Sequence, residues 1–107
     1  MHRRRLLLAD NRTLLAGSLI ELDSLRYTPA GIPALNFRIA HQSMQQEAGV
    51  QRTVECEMLC VALGPTANLL AGAKPGDKVK LSGFLAAKSL KSRTPVLHVD
   101  TIEFLEG

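Results

Sequence analysis

Two runs of alternating residues set the strongest limit on this chain. In ALNFRIA, residues 34–40, Leu35, Phe37 and Ile39 alternate with Asn36, Arg38 and Ala40. In TVECEMLCVAL, residues 53–63, Val54, Cys56, Met58 and Cys60 share one face. A period of two places apolar side chains on one side of an extended strand and solvated ones on the other. A helix would bury every third or fourth residue instead. The two runs therefore call for a sheet.

Between them lies HQSMQQEAGVQR, residues 41–52, in which only Met44 and Val50 are clearly apolar. MQQEA has helix-forming composition, but so short a helix does not stand alone in water. The segment reads as the flexible arm of a hairpin, projecting beside a binding face. Its one cation is Arg52, with Glu47 inside the arm and Glu55 just beyond it.

The rest of the chain supplies more strands. RTLLAGSLIEL, residues 12–22, reads as a long curved strand in which Gly17 marks a bulge or tight bend. YTPAGIP, residues 27–33, is a turn: Pro29 fixes φ, Gly31 supplies positive φ, and Pro33 holds Ile32 extended. GPTANLLAGAKPGD, residues 64–77, breaks the alternation. Thr66 there can cap a short helix through ANLLA, and Gly72 can end it. KVKLSGFLAA, residues 78–87, is a fourth strand with Val79, Leu81 and Gly83 inward and Lys78, Lys80 and Ser82 outward. KSLKSRTP, residues 88–95, is a basic connector, and VLHVDTIEFLE, residues 96–106, is a fifth strand. The expected class is all-β. Five strands with a short helix between the third and fourth is the order of the OB-fold, a partly open Greek-key barrel that binds oligonucleotides. Pattern alone leaves another small barrel open.

A chain of 107 residues fits one domain, and 46% hydrophobic residues can build its core. We read residues 1–10 as a basic N-terminal tail and residues 11–107 as a single domain. No apolar run approaches the ~18 residues of a membrane span. The apolar run at Leu6–Ala9 is too short for a secretory signal. A cytoplasmic protein without a membrane partner is expected.

Chemistry is hard to find. Cys56 and Cys60 lie four apart on one strand, about 13 Å at strand rise. A disulfide needs Cα atoms within about 7 Å, so both read as small core residues. His2, His41 and His98 lack ligand spacing. GPTANLLAG lacks the Gly-Lys-Ser/Thr ending of a phosphate loop. Glu55 and Glu57 share a face without contrasting environments for acid–base work. No enzyme, cofactor, metal or small-molecule substrate is expected.

The formal net charge of +3 permits nucleic acid without requiring it. On an OB barrel, the groove would use Arg38 and Gln42 from the second strand and Arg26 and Tyr27 from the first loop. It would use Lys88, Lys91 and Arg93 from the loop between the fourth and fifth strands, with Lys80 behind them and Arg52 at the foot of the arm. Such cations neutralise phosphates and release counterions. Tyr27 reads as the one aromatic outside the core able to stack on a base.

NRTLLAG, PAGIPALNFRIAHQSMQQEAGVQR, GFLAAK and VLHVDTIE together closely resemble the primosomal replication protein N family of bacterial replication-restart proteins. The resemblance runs from about Asn11 to Glu106. It is similar in turn to a shortened bacterial single-stranded DNA-binding protein. The resemblance implies a non-catalytic OB-fold homodimer that binds single-stranded DNA. It also implies contact with the primosomal helicase and with the next primosome assembly factor. Glu55 stands where a relative can carry a stacking Trp, Gln42 where one can carry Arg, and Tyr27 where consecutive basic residues can occur. Weak DNA binding and greater reliance on protein partners are therefore expected. The other readings are an OB adaptor with vestigial DNA binding and an RNA-binding OB module. Pairing along the first strand, apolar on both faces, would form the dimer.

Overall fold

The computed structural model describes residues 9–106. The tail read at residues 1–10 therefore lies, except for Ala9 and Asp10, outside the described residues. The elements are β1 (Thr13–Leu22), β2 (Arg26–Tyr27), β3 (Pro33–Glu47), β4 (Val50–Leu63), α1 (Pro65–Leu70), β5 (Lys78–Ala87) and β6 (Pro95–Leu105). The strands run in the order β1-β5-β6-β4-β3-β2, and β1 also pairs with β3, which closes the sheet into a barrel. The expected OB-fold is present, with β2 as an added two-residue strand.

β1 serves two neighbours. Thr13–Ser18 pair with β5, and Ser18–Leu22 pair with β3. The irregularity lies between Leu19 and Glu21, three residues later than Gly17. Gly17 answers a different need. A Cβ there would collide with the carbonyl of Ala40, so only glycine lets β3 approach this closely. Gly83 does the same against the His98 carbonyl, beside the register shift between Ser82 and Gly83.

Alternation decides the interior as expected. Leu35, Phe37 and Ile39 of β3 meet Leu19 of β1, Cys60 of β4, Val79 and Leu81 of β5, and Leu97 of β6. Helix α1 caps this cluster with Ala67 and Leu70, both fully buried. Thr66 does not cap the helix. Gly64, at φ 76°, is the N-cap residue, Pro65 opens the first turn, and Thr66 Oγ1 points to the Asp100 carbonyl at 3.5 Å. Proline suits that first position because its missing N–H has no partner to lose there.

Residues 41–52 correct the expectation of a flexible arm. They continue β3 and β4 in unbroken register to the Glu47–Val50 pair. Only Ala48 and Gly49 turn, with φ of 53° and 79°. Two positive φ values in a two-residue loop match the right-handed twist of the flanking strands. Alternation failed to reveal these strands because the hairpin leaves the barrel and both of its faces meet solvent. Cys56 lies on this extension, opposite His41, and is exposed, so it is not the core residue expected. Cys60 lies over the barrel and is buried, and burial pushes its thiol pKa up to about 12.

Candidate nucleic-acid interface

The outward face of β3 and β4 is built from register pairs: Asn36 with Val61, Arg38 with Leu59, Ala40 with Glu57, and Gln42 with Glu55. At one end of this face lies a groove of about 280 Å³. Arg38, Asn36, Leu59 and Val96 line it, together with Glu21 and Asp23 from the β1–β2 side and Lys88 from the β5–β6 loop. The fold thus brings Arg38 and Lys88 together from positions fifty residues apart in sequence. Arg26 joins them indirectly, because its Nη2 donates to Asn36 Oδ1 at 2.9 Å. Asn36 was not among the expected groove residues, although its outward period-two position between Leu35 and Phe37 was the available signal.

Arg26 and Tyr27 form β2 rather than a plain loop, pairing with Ala34 and Pro33. The turn beyond them is tied by Thr28, whose N–H donates to the Ile32 carbonyl at 2.9 Å while its carbonyl accepts from Gly31 N–H at 2.8 Å. Tyr27 is 64% exposed. It is not the one aromatic outside the core: Phe84 and Phe104 are 42% and 43% exposed. Phe84 reads as core from its apolar side chain, although it shares the outward parity of Lys78, Lys80 and Ser82 on the same strand.

The β5–β6 loop is compact. Lys88 N–H donates to the Thr94 carbonyl at 2.9 Å, and Ser89 Oγ accepts from the N–H groups of Lys91 and Ser92 at 3.2 and 3.0 Å. These bonds turn Lys91 and Arg93 to solvent. Among the described residues, neither they nor Lys88 makes a salt bridge.

The other expected cations fare differently. Arg38 Nε donates to Glu21 Oε1 at 2.8 Å, and its Nη1 lies 3.6 Å from Glu57 Oε1. The Glu21 hydrogen bond raises the guanidinium pKa above its ordinary value despite an opposing desolvation. Arg52 Nη1 sits 2.6 Å from Glu47 Oε1, far along the hairpin. Lys80 stands opposite Ala16 and Glu103 and does not line the groove. Gln42 lines a separate cleft of about 660 Å³ between β1 and the hairpin, which also holds Glu55, Glu57 and Lys78. His41 bridges that cleft. Its Nδ1–H donates to the Ala16 carbonyl at 2.6 Å, and Nε2 contacts Ser43 Oγ at 2.8 Å. With both ring nitrogens occupied, His41 is a structural tie between β1 and β3.

Charge over the barrel is balanced. Residues 9–106 carry ten Lys/Arg and ten Asp/Glu, so the formal excess of three comes from Arg3, Arg4 and Arg5. Among the described residues, no three His, Cys, Asp or Glu side chains group as metal ligands. No described helix is long and apolar enough to cross a membrane.

A model described as another single-strand binding protein family matches residues 11–101. The replication restart protein PriB of Nitrosomonas europaea is 40% identical over 89 residues, covering 83% of this chain and 82% of that protein. The 1.8 Å structure of priB from Ralstonia solanacearum matches with a TM-score of 0.82 at 33% identity, over 92% of this chain and all of that one. The wild-type single-stranded DNA binding protein from Thermus aquaticus matches with a TM-score of 0.73 at 26% identity, over 91% of this chain and 50% of that one.

Proposed function

This chain belongs to the single-strand binding protein family that includes the replication restart protein PriB, and on that premise we propose that it binds single-stranded DNA as a non-catalytic accessory of replication restart. The nucleotide path runs along the groove between Arg26 and Lys88 and past the loop that carries Lys91 and Arg93. Those four side chains supply the phosphate contacts, and counterion release drives the association. Arg38 orients the wall of the groove more than it attracts phosphate, because Glu21 and Glu57 already neutralise it. Tyr27 offers a ring at the β2 end. Gln42, Arg52 and Lys80 lie off this groove and play secondary parts along the hairpin and β5.

The binding is weak. The observation that carries this is the charge balance of residues 9–106 together with the paired Arg38. Fluorescence polarisation with a labelled oligonucleotide tests it: measurable binding at low salt should largely vanish at physiological salt. Nanomolar affinity persisting at physiological salt would overturn weak binding.

Weak DNA binding leaves partner recruitment as the main task. The protein stimulates a primosomal helicase and hands the fork to the next assembly factor. Charge reversal of Lys88, Lys91 and Arg93 to Glu should abolish DNA binding and reduce helicase stimulation. Stimulation that survives intact favours a protein adaptor with vestigial DNA binding. Equal or better affinity for RNA of the same sequence favours an RNA-binding module.

The working unit is a homodimer. Thr13–Gly17 pair with β5 on one edge only, among the described residues, and Leu14 within this stretch is 66% exposed. An open strand edge is satisfied by a second copy across a two-fold axis. Sedimentation as an 11.6 kDa monomer at micromolar concentration would count against this.

A further inference from the structure

Phe84 on β5 and His98 on β6 are register partners whose rings stack nearly parallel, with centroids 5.0 Å apart and planes 10° apart. Phe84 takes no part in the buried cluster. Its ring packs outward on His98 rather than into the barrel interior and stays 42% exposed. With Val61, Leu63 and Asp100 the pair lines a hollow of about 170 Å³.

The hollow continues the groove. β4 and β6 pair in parallel, with Val61 beside His98. The preceding outward residues on those strands, Leu59 and Val96, line the groove that Arg38 and Lys88 also face. Two strand residues span about 6–7 Å, close to one nucleotide step of a single strand. The one carboxylate at the hollow is offset: Asp100 is held by Arg12 through two hydrogen bonds of 2.8 and 3.0 Å.

We infer that Phe84, backed by His98, is a base-stacking platform that extends the groove along the β4–β6 seam. The inference rests on the single-stranded DNA reading above and adds a second aromatic contact to it. A flat ring held by a parallel partner presents a π-face, which suits any base. The small hollow takes one planar group, not the apolar face of a partner helix.

The test uses the full chain and two strands of equal length, one of thymidines and one carrying abasic sites. Phe84→Leu keeps an apolar side chain without a π-face, and Phe84→Trp keeps the ring. Loss of one stack should weaken thymidine binding by about 5- to 150-fold in Phe84→Leu. The abasic strand should bind wild type and Phe84→Leu alike, and Phe84→Trp should retain thymidine binding. Thermal melts confirm that each variant is folded. Unchanged thymidine binding by folded Phe84→Leu overturns the platform while leaving the groove intact. So does equal loss on both strands. Intact DNA binding with lost helicase stimulation reassigns the patch to a protein partner. A wild-type chain that binds neither strand overturns both the platform and the function it rests on.

Discussion

Arg38 Nε donates to Glu21 Oε1 at 2.8 Å, joining residues seventeen positions apart on adjacent strands. Glu57 flanks the same guanidinium from β4 at 3.6 Å. The most central cation of the groove is therefore already matched to carboxylates before any phosphate arrives. A phosphate must compete with them, and the site weakens accordingly.

Glu21→Gln should release part of this hold and raise affinity for single-stranded DNA severalfold at low salt. Freeing Arg38 for one more phosphate steepens the dependence of log affinity on log salt by ~0.7. Titrations at several salt concentrations measure that slope. A slope equal to that of wild type would show that Arg38 gains no phosphate contact.

The Ala48–Gly49 turn carries a non-glycine residue at φ 53°. Left-handed backbone costs most residues about 1–2 kcal/mol, and asparagine tolerates it better. Ala48→Asn should therefore stabilise the protein by about 1 kcal/mol. A denaturation melt reads the gain, and a lowered Tm would contradict the turn geometry.

The two cysteines should separate cleanly by reactivity. Cys56 is exposed on the hairpin, whereas Cys60 is buried with its thiol pushed up to about 12. The thiolate is the reactive form. Native protein treated with iodoacetamide at pH 8 should take one label, at Cys56, by mass spectrometry. Denaturant should expose the second site. Two labels at equal rates in the native state would place Cys60 outside the core.

Acid should loosen the β1–β6 side of the barrel. The hydrogen bond from Arg12 holds the Asp100 carboxyl below its ordinary pKa, helped by Thr101 and by the charge of Arg12, against some desolvation. A carboxyl depressed in the folded state contributes stability above its unfolded pKa, about 3.9 for aspartate. That contribution fades as pH falls from there through the lower folded value. Asp100→Asn should lower Tm near pH 7 and narrow the gap to wild type below pH 3. An equal deficit at both pH values would mean that ionisation of Asp100 carries no stability.

Local residue patterns were enough to specify a small barrel. Period-two alternation in residues 35–39 and 54–60, the turn chemistry of Pro29, Gly31 and Pro33, and the interruption at residues 64–77 all act locally. Local steric and burial preferences are written in neighbouring residues. The family string was legible for the same reason, and it carried the expectation of single-stranded DNA. Tertiary structure alone decided the rest. Arg38 reads as an outward cation in any strand pattern, and only closure of β1 onto β3 brings Glu21 against it. Cys56 follows the alternation of a core residue, and only the hairpin's departure from the barrel exposes it. Residues 41–52 form strands whose two solvated faces erase the hydrophobic period. Phe84 meets His98 because β5 and β6 pair, a contact between residues fourteen positions apart that no short window contains. Each of these depends on which surface is covered by distant chain, and covering is a property of the closed barrel.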